Sequence, residues 1–375
     1  MLVRKYFVLF ILSCMLSGCV SISIKGKAIE SLSVSLFPVS SKNAVTKIQP
    51  GKKYEVKIKV KESGSKKIIK HPDYSQIVFD SDDFKIIYQD RWSLIVMAKY
   101  PNINHLYEKN YYASVTVNEN DFSGTYEKWQ IDWQSFDTLD YRGADGADGG
   151  DGLSGDIGGV RSSLNGENGK SGEPGRNGQT KNLEVAYLYG TSDKLFSDDS
   201  DKMLVFYDNQ TGETILMSAD RRVVLDFRGG NGGDGGEGGD GGDGNAFFRS
   251  NRSRSLDGGD GGNGGNGGNG GNGGILKLTV ASGQMLENAF DIRLQGGRGG
   301  DGGRGGDRGD AGVRVYEDKN GRIHEVRGRD GNRGINGIAG IDGNYGNIMY
   351  VQMSVEKMFA GSSAVKNLSE LLKSE

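Results

Sequence analysis

Three arginines and two phenylalanines stand together in the stretch 245–257, which is NAFFRSNRSRSLD. The residues of interest are Phe247, Phe248, Arg249, Arg252 and Arg254. Guanidinium groups bind carboxylates and phosphates through paired hydrogen bonds, and aromatic rings add contact area. The stretch therefore predicts a binding site for an anionic glycan, a lipopolysaccharide phosphate or an acidic surface protein. The alternative is a flexible loop whose phenylalanines pack against the rest of the molecule.

Carboxylates that recur at every third position form a second set of candidate ligands. One row holds Asp145, Asp148 and Asp151, and another holds Asp234, Glu237, Asp240 and Asp243. In an extended helix with three residues per turn, successive members of a row lie about 9 Å apart. Calcium needs about six to eight oxygens at about 2.3–2.6 Å, so one row cannot surround an ion. We expect no cofactor and a solvated acidic edge, with calcium between two rows as the alternative.

The sequence lacks the common signatures of enzymes. It contains no GxSxG, no HExxH, no Cys/His zinc spacing and no phosphate-binding GxxxxGK[ST] motif. We therefore predict a non-enzymatic protein. A glycan-processing enzyme with a pair of catalytic carboxylates stays as an alternative, because such pairs have no sequence signature. The formal net charge of −3 predicts no general affinity for nucleic acid.

The elements that must position these groups are rich in glycine, which accounts for 63 of the 375 residues. Glycine recurs with a period of three in six stretches, at 143–158, 166–178, 229–244, 258–274, 296–312 and 328–346. Three residues per turn is the geometry of an extended helix without internal hydrogen bonds, whose backbone groups need partners on neighbouring chains. Glycine edges let such neighbours approach closely. A flexible linker is the alternative, but ordinary linkers are aperiodic.

The strict GGx repeats resemble those of the polyglycine-II bundles in snow-flea antifreeze protein and in certain phage tail-tip adhesins. The resemblance rests on the type of repeat and covers about half the chain. It implies a bundle of about six polyglycine-II helices from one chain. A collagen-like triple helix is disfavoured because only Pro174 lies in the repeats. Ice binding, which the resemblance also suggests, conflicts with the charged edges.

The repeat types also predict where each helix lies and which substitutions damage it. A GGx helix has two bare edges and suits the middle of a bundle, whereas a Gxy helix has one and suits the margin. Valine at Gly268 should therefore be more damaging than valine at Asn269. Ile335, Ile338 and Ile341 share one edge, which we expect to be buried against a sheet or a neighbouring protein.

The N-terminus has the pattern of a secretory signal, with two basic residues before an apolar stretch too short to span a bilayer. The sequence LSGC at 16–19 resembles the bacterial lipobox. That resemblance implies cleavage before Cys19, acylation of this cysteine with palmitate or a similar fatty acid, and a lipid anchor in the cell envelope. The residues after Cys19 favour the outer membrane. An ordinary signal peptide is the alternative.

Residues 20–139 carry about seven strand patterns with polar turns between them, which predicts an antiparallel β-sandwich. We expect Trp92, Trp129 and Trp133 to lie in its core, with a sugar-stacking surface as the alternative. His71 and His105 stand near prolines and are predicted to be solvated in loops.

Strand-like connectors precede or follow the glycine helices. If successive helices alternate in direction, these strands collect at one end, the base, and can pair there into a capping sheet. The other end, the tip, receives the connections near 159–165, 245–257 and 313–327. The domains are then a signal peptide (1–18), a β-sandwich (19–140), a glycine-rich bundle with β connectors (141–347) and a C-terminal strand with a short helix or tail (348–375).

The sequence as a whole predicts an all-β plus polyglycine-II protein, with a β-sandwich followed by a bundle and capping strands. Its expected function is adhesion or recognition of an anionic surface ligand by loops on a rigid bundle. The expected partners are the membrane, through the lipid, and an anionic glycan or surface protein. The alternatives are a structural spacer or an envelope assembly lipoprotein, and the oligomeric state is left open.

Overall fold

The structure is a computed structural model that describes residues 22–366 apart from 26, 103, 106–109, 118–124, 134, 156–164, 190–201, 245–255, 285 and 287. The described residues form β-strands and long extended segments, with little helix. The expectation of a predominantly β protein is therefore confirmed.

Nine strands build the N-terminal part of the chain. They are β1 (Ile29–Pro38), β2 (Lys47–Ile48), β3 (Lys53–Glu62), β4 (Ile68–Ile69), β5 (Ile77–Asp80), β6 (Phe84–Gln89), β7 (Leu94–Ala98), β8 (Asn110–Val117) and β9 (Thr125–Ile131), with a 3-10 helix at Tyr74–Gln76. One antiparallel sheet has the order β1-β3-β7-β6, with β4 beside β3. The other sheet has the order β2-β9-β8-β5.

The two N-terminal sheets share one apolar core. Strand β3 shows why, because its sequence KYEVKIKVKE alternates inward apolar side chains with outward polar ones. The ring of Phe84 in one sheet lies 5.5 Å from that of Tyr111 and 5.6 Å from that of Trp129 in the other. The sheets therefore pack face to face, and aromatic side chains fill the space between them.

Ten further strands belong to the C-terminal part. They are β10 (Thr138–Asp140), β11 (Thr180–Tyr189), β12 (Lys202–Asp208), β13 (Thr214–Ser218), β14 (Val223–Asp226), β15 (Ile275–Ala281), β16 (Phe290–Arg293), β17 (Val313–Glu317), β18 (Ile323–Arg327) and β19 (Asn347–Met353), followed by a 3-10 helix at Val355–Lys357 and the helix α1 at Ser363–Lys366. Residues 367–375, where part of the C-terminal helix was predicted, lie outside the described residues.

Six extended glycine-rich segments connect these strands. We number them segment 1 (143–155), segment 2 (166–179), segment 3 (229–244), segment 4 (258–274), segment 5 (296–312) and segment 6 (328–346). Backbone hydrogen bonds between segments recur at every third residue. Gly262 of segment 4 donates to the carbonyl of Gly239 in segment 3 at 2.7 Å, and Gly265 donates to Gly236 at 2.8 Å.

The segments lie in two rows, which contain the odd-numbered and the even-numbered segments. Within a row the neighbours run parallel, as when Gly146 donates to the carbonyl of Asn231 and Gly149 to that of Asp234. Between rows they run antiparallel. Segments 3 and 4 each have hydrogen bonds to four other segments, whereas segments 1 and 6 have them to two. GGx repeats therefore occupy the middle and Gxy repeats the margin, as their bare edges predict.

Each row continues into its own parallel sheet. Strands β10, β14 and β16 pair in parallel and lead into segments 1, 3 and 5. Segments 2, 4 and 6 lead into β11, β15 and β19, which pair in parallel and are extended by β12 and β13. The expectation of one capping sheet is wrong, because the described strands of the odd-numbered row pair only with one another, and those of the even-numbered row belong to a separate sheet. Phe206 and Phe290, whose ring centroids are 6.0 Å apart, join the two sheets.

The close approach of the segments depends on glycine at the buried edges. A Cβ atom on Gly268 would lie 2.1 Å from the carbonyl oxygen of Glu173, and one on Gly303 would lie 2.0 Å from that of Gly236. These distances are far inside van der Waals contact, so no side chain fits there. Because the obstructing atoms belong to backbone, a rotamer change cannot relieve the clash.

Candidate functional site

The alternating directions of the two rows collect the chain connections at two ends. Strands β10 to β16 and β19 lie at the base, where the odd segments begin and the even segments end. The three connections between segments 1 and 2, 3 and 4, and 5 and 6 therefore share the opposite end, the tip. This distribution follows from the antiparallel hydrogen bonds between rows.

The predicted ligand-binding residues belong to the second of these connections and lie outside the described residues. They are Phe247, Phe248, Arg249, Arg252 and Arg254. The described residues on either side belong to adjacent segments, since Gly259 donates to the carbonyl of Gly242 at 2.8 Å. The stretch 245–255 therefore starts and ends at the tip on two neighbouring antiparallel segments.

The third connection at the tip is a β-hairpin, formed by β17 and β18. The rings of Tyr316 and His324 stack across its strands with centroids 5.3 Å apart. The guanidinium of Arg314 lies 5.8 Å from the Tyr316 centroid. These exposed side chains give the tip a second group of aromatic and cationic contacts. The alternation in VRVYE and IHEVR, with Asn320-Gly321 in the turn, could have revealed this hairpin in the sequence.

The turn of the hairpin is fixed by one carboxylate. Asp318 accepts a hydrogen bond from Nε2 of His324 at 2.9 Å and from the backbone N–H groups of Arg322 and Asn320. These bonds, that from His324 above all, hold the pKa of Asp318 below its usual value. Gly321 completes the turn with a φ of +74°, in the region that favours glycine.

The carboxylate rows make a structural contact that the sequence analysis missed. The Oδ1 atom of Asp145 accepts the backbone N–H of Asn231 at 2.7 Å, and that of Asp148 accepts the N–H of Asp234 at 3.0 Å. The Oδ1 of Asp234 in turn accepts the N–H of Asp301 at 2.8 Å. We call each such side chain a lateral latch, since it joins a segment to the next one in its row.

Lateral latches also join the even-numbered segments, where most are asparagines. Asn263, Asn266 and Asn269 of segment 4 each accept one backbone N–H of segment 6, all at 2.9 Å. The repeated Asp and Asn residues thus satisfy N–H groups that the bonds between backbones leave over. They are therefore more than a solvated edge. Among the described residues, no group of three or more His, Cys, Asp or Glu side chains is placed to hold a metal ion.

An Asp-x-Arg sequence recurs where each odd segment begins. Asp140 pairs with Arg142 at 2.8 Å, and Asp226 pairs with Arg228 at 2.7 Å. The hydrogen bond from Arg142 outweighs burial and holds the pKa of Asp140 below its usual value. Asp291 and Arg293 form a third such pair, and all three sets line an open polar cleft of about 1050 Å³. Their guanidinium groups are already paired with carboxylates.

The burial of the tryptophans and histidines in the N-terminal part differs from the prediction at two of five residues, Trp92 and His105. Trp129 and Trp133 are buried as predicted, but half of the surface of Trp92 is exposed. His71 is exposed as predicted. His105 is buried, with Nε2 3.1 Å from the Asp83 carboxylate, so its prediction as a solvated loop residue is wrong. Its position beside a proline gave no sign of this partner, which is distant in the sequence.

The predicted lipidation site, Cys19, lies outside the described residues. The first described residue, Ile22, forms a bridge with Pro72, and its N–H donates to the carbonyl of His71. In the part of the chain that the structure describes, no helix has the length and apolar character needed to cross a bilayer. No protein-family model, curated protein or solved structure matches this chain.

Proposed function

We propose that this chain is a lipid-anchored, non-enzymatic protein of the cell envelope that holds recognition loops on a rigid bundle. In this proposal the six segments are polyglycine-II helices. Hydrogen bonds at every third residue, in two directions from segments 3 and 4, support that assignment. The anchor is the acylated Cys19, and the surface of the outer membrane is the proposed location.

The observation that carries the proposal is the placement of all three segment connections at one end. Antiparallel hydrogen bonds between the rows require this placement. Segment 3 has 16 residues between 229 and 244, which at about 3.1 Å per residue spans about 50 Å. Loops held this far from the base on a bundle without flexible joints lose little ordering entropy when they bind.

An anionic ligand is favoured by the chemistry of the tip. The connection 245–257 supplies Arg249, Arg252 and Arg254, and the hairpin adds Arg314 beside Tyr316. Several acidic groups elsewhere on the bundle, such as Asp145 and Asp148, are engaged as lateral latches, and Asp140 is paired with Arg142. A sulfated or phosphorylated glycan fits this combination of guanidinium groups and aromatic rings.

The test compares two triple variants with the same loss of charge. Arg249, Arg252 and Arg254 are changed together to Ser in the soluble Cys19→Ser chain, and binding to immobilised heparin and lipopolysaccharide is measured. We expect at least about a tenfold loss of affinity, equal to about 1.4 kcal/mol, and weaker binding by the unmodified tip as salt is added. Thermal stability should be unchanged.

The control variant changes three arginines on the sides of the bundle, Arg176, Arg298 and Arg304, to Ser. It should bind like the protein with an intact tip. Equal affinity of both triple variants for every surface tested would contradict tip recognition. The bundle would then be better explained as a spacer or as part of an envelope assembly factor, and hydrolysis of a glycan by the soluble protein would favour the enzyme alternative.

A further inference from the structure

One side of the molecule is an unbroken extended edge that runs from Ile323 to Met353. It consists of β18, segment 6 and β19, which follow one another without an intervening turn. Strand β19 is the last described strand of its sheet, and β18 pairs with β17 in a two-stranded sheet. Segment 6 has backbone hydrogen bonds with segments 4 and 5 only, among the described residues. On its opposite side, segment 6 has no backbone partner in the part of the chain that the structure describes.

The open edge carries apolar side chains that a single copy leaves in water. Ile335, Ile338 and Ile341 are 73–74% exposed, and Ile323 is 76% exposed. The backbone N–H groups of Ile335, Ile338 and Ile341 are held by the latches of segment 4, which fixes the isoleucine edge away from that segment. Burial of isoleucine side chains is favourable, so a regular exposed row of them indicates a contact surface.

This edge lacks most of the side-chain acceptors that join neighbouring segments within each row. In segments 1 to 4 the position that faces the next segment of the row holds Asp, Asn or Ser, apart from Pro174 and Glu237, and most of these side chains accept one of its N–H groups. Segment 6 has isoleucine at the corresponding positions, and isoleucine offers no acceptor. At these three positions a further glycine segment would therefore find no lateral latch, and only Asn332 and Asn344 at the two ends offer acceptor oxygens, whereas an apolar partner finds a matching surface.

The residues along the edge are nearly symmetrical about Ile338. At steps of three residues within segment 6, Ile335 corresponds to Ile341 and Asn332 to Asn344. Arg329 corresponds to Asn347, so no like charges oppose each other at these positions. A two-fold interface needs a surface that is complementary to itself when reversed, and this edge has that property.

We propose that this edge binds a second copy of the same chain, antiparallel, about a two-fold axis at Ile338. Apolar residues then face apolar residues along segment 6, and β18 of each copy lies beside β19 of the other. Antiparallel pairing at these edges would satisfy backbone groups that are otherwise open to water. Each end of the interface thus joins the tip of one copy to the base of its partner.

The size of the edge is sufficient for a stable dimer. The 31 positions from 323 to 353, at about 3.1 Å each, extend over about 95 Å. A strip about 10 Å wide along this length covers about 900 Å², comparable with the about 800 Å² per partner of standard interfaces. The antiparallel arrangement also places the two bases at opposite ends. If the proposed lipid anchor holds, each dimer would join two facing membranes.

The test measures the dimer in solution, so it depends on neither the anchor nor the tip. The full chain with Cys14→Ser and Cys19→Ser is studied by sedimentation over a range of concentrations. Ile338→Asp should weaken the dimer at least about tenfold, because two carboxylates would meet at the axis. The matched control is Ala339→Asp, one residue further along, which should leave dimerisation unchanged and should not lower the melting temperature, because a carboxylate there can accept the N–H of Gly302 as Asn336 and Asp342 accept those of Gly305 and Gly299.

The register is tested with single cysteines in the same background. Two Ile338→Cys chains should form a disulfide under mild oxidation, because the axis brings the same residue of both copies together. Ile335→Cys should not link to itself, since its two copies would lie about 19 Å apart, but it should link to Ile341→Cys in a mixture. Melting curves of each variant separate loss of the interface from loss of the fold.

Three results would overturn the proposal. The first is a monomer at all concentrations, and the second is a dimer that Ile338→Asp leaves intact. The third is a disulfide between two Ile335→Cys chains in preference to two Ile338→Cys chains. Binding of a monomeric chain to phosphatidylcholine vesicles, lost in Ile338→Asp, would assign the edge to lipid instead.

Discussion

At the scale of single residues, the most informative side chains are the short carbonyl-bearing ones at every third position. Their periodicity suggests an acidic or neutral surface, yet their Oδ1 atoms accept N–H groups of the next segment. Asp and Asn have the side-chain length that reaches the neighbouring backbone. Arg298 and Arg304 are tolerated in segment 5 because that segment ends its row, so nothing further has to be joined.

This explanation predicts the cost of removing latches without a change of charge. Asn263, Asn266 and Asn269 changed together to Ala would leave three N–H groups of segment 6 without protein acceptors. At about 0.5–1.5 kcal/mol per hydrogen bond, the free energy of unfolding should fall by about 2–4 kcal/mol. Chemical denaturation of the soluble chain measures this change.

Two controls accompany that experiment. The same three positions changed to Asp keep the acceptor oxygens and should retain most of the stability. Alanine at Asp301 of segment 5 removes a side chain of the same kind that has no described latch, and should change stability by less than about 0.5 kcal/mol. Equal stability of the triple alanine variant and the unmodified chain would show that the latches contribute nothing.

At the scale of elements, the bundle depends on which edge of each segment meets a neighbouring backbone. A GGx segment presents two glycine edges. In segments 3 and 4, both of these edges lie against the backbone of a neighbouring segment. The sequence analysis expected Asn269 to tolerate valine, in contrast to Gly268. The structure corrects this comparison, because Asn269 is itself a latch and its loss has a cost.

A cleaner comparison uses adjacent positions of segment 5. Gly303→Val would force a Cβ against the backbone of Gly236 and separate segments 3 and 5 of the odd-numbered row, whereas Arg304→Val lies on the outer edge. We expect Gly303→Val to lower the free energy of unfolding by more than about 3 kcal/mol, because packing and neighbouring hydrogen bonds are both lost. Arg304→Val should have little effect. Melting curves of the two variants that coincide would contradict a close-packed bundle and favour a flexible linker.

At the scale of the whole molecule, two parallel sheets align the two rows. The strands enter or leave the segments without a break, so the order of strands in each sheet is also the order of segments in each row. This arrangement fixes the base at one end and the three connections at the other. Along the chain, the proposed anchor comes first and the two N-terminal sheets follow it. The first base strand, β10, and segment 1 come after those sheets.

The anchor itself leads to a prediction about the whole molecule. Cys19→Ser should abolish incorporation of labelled fatty acid and move the protein from the membrane fraction to the soluble fraction. The thermal stability of residues 22–366 should not change, since Cys19 precedes the first described strand. Continued labelling of the Cys19→Ser chain would contradict the lipoprotein assignment, and a mild-detergent extraction of the unmodified protein provides the reference.

The sequence by itself determined the composition boundary near residue 142, the six glycine-rich segments and the collection of strands at one end. These features depend on the spacing of glycine and on the strand propensity of short stretches, which are both local properties of the chain. The period of three also identified which edges are bare. For that reason the middle and margin positions of the segments could be predicted before any contact was known.

Only the tertiary structure decided which segments are neighbours, and several assignments depended on this. The latches at Asp145 and Asn263 need an N–H group that is remote in the sequence, and the contact of His105 needs Asp83. The division of the base into two sheets follows from the order within each row. The isoleucine edge was expected to be buried, but segment 6 ends its row, so Ile338 meets water in a single copy. Each of these outcomes comes from hydrogen bonds and contacts between distant residues, which local periodicity does not encode.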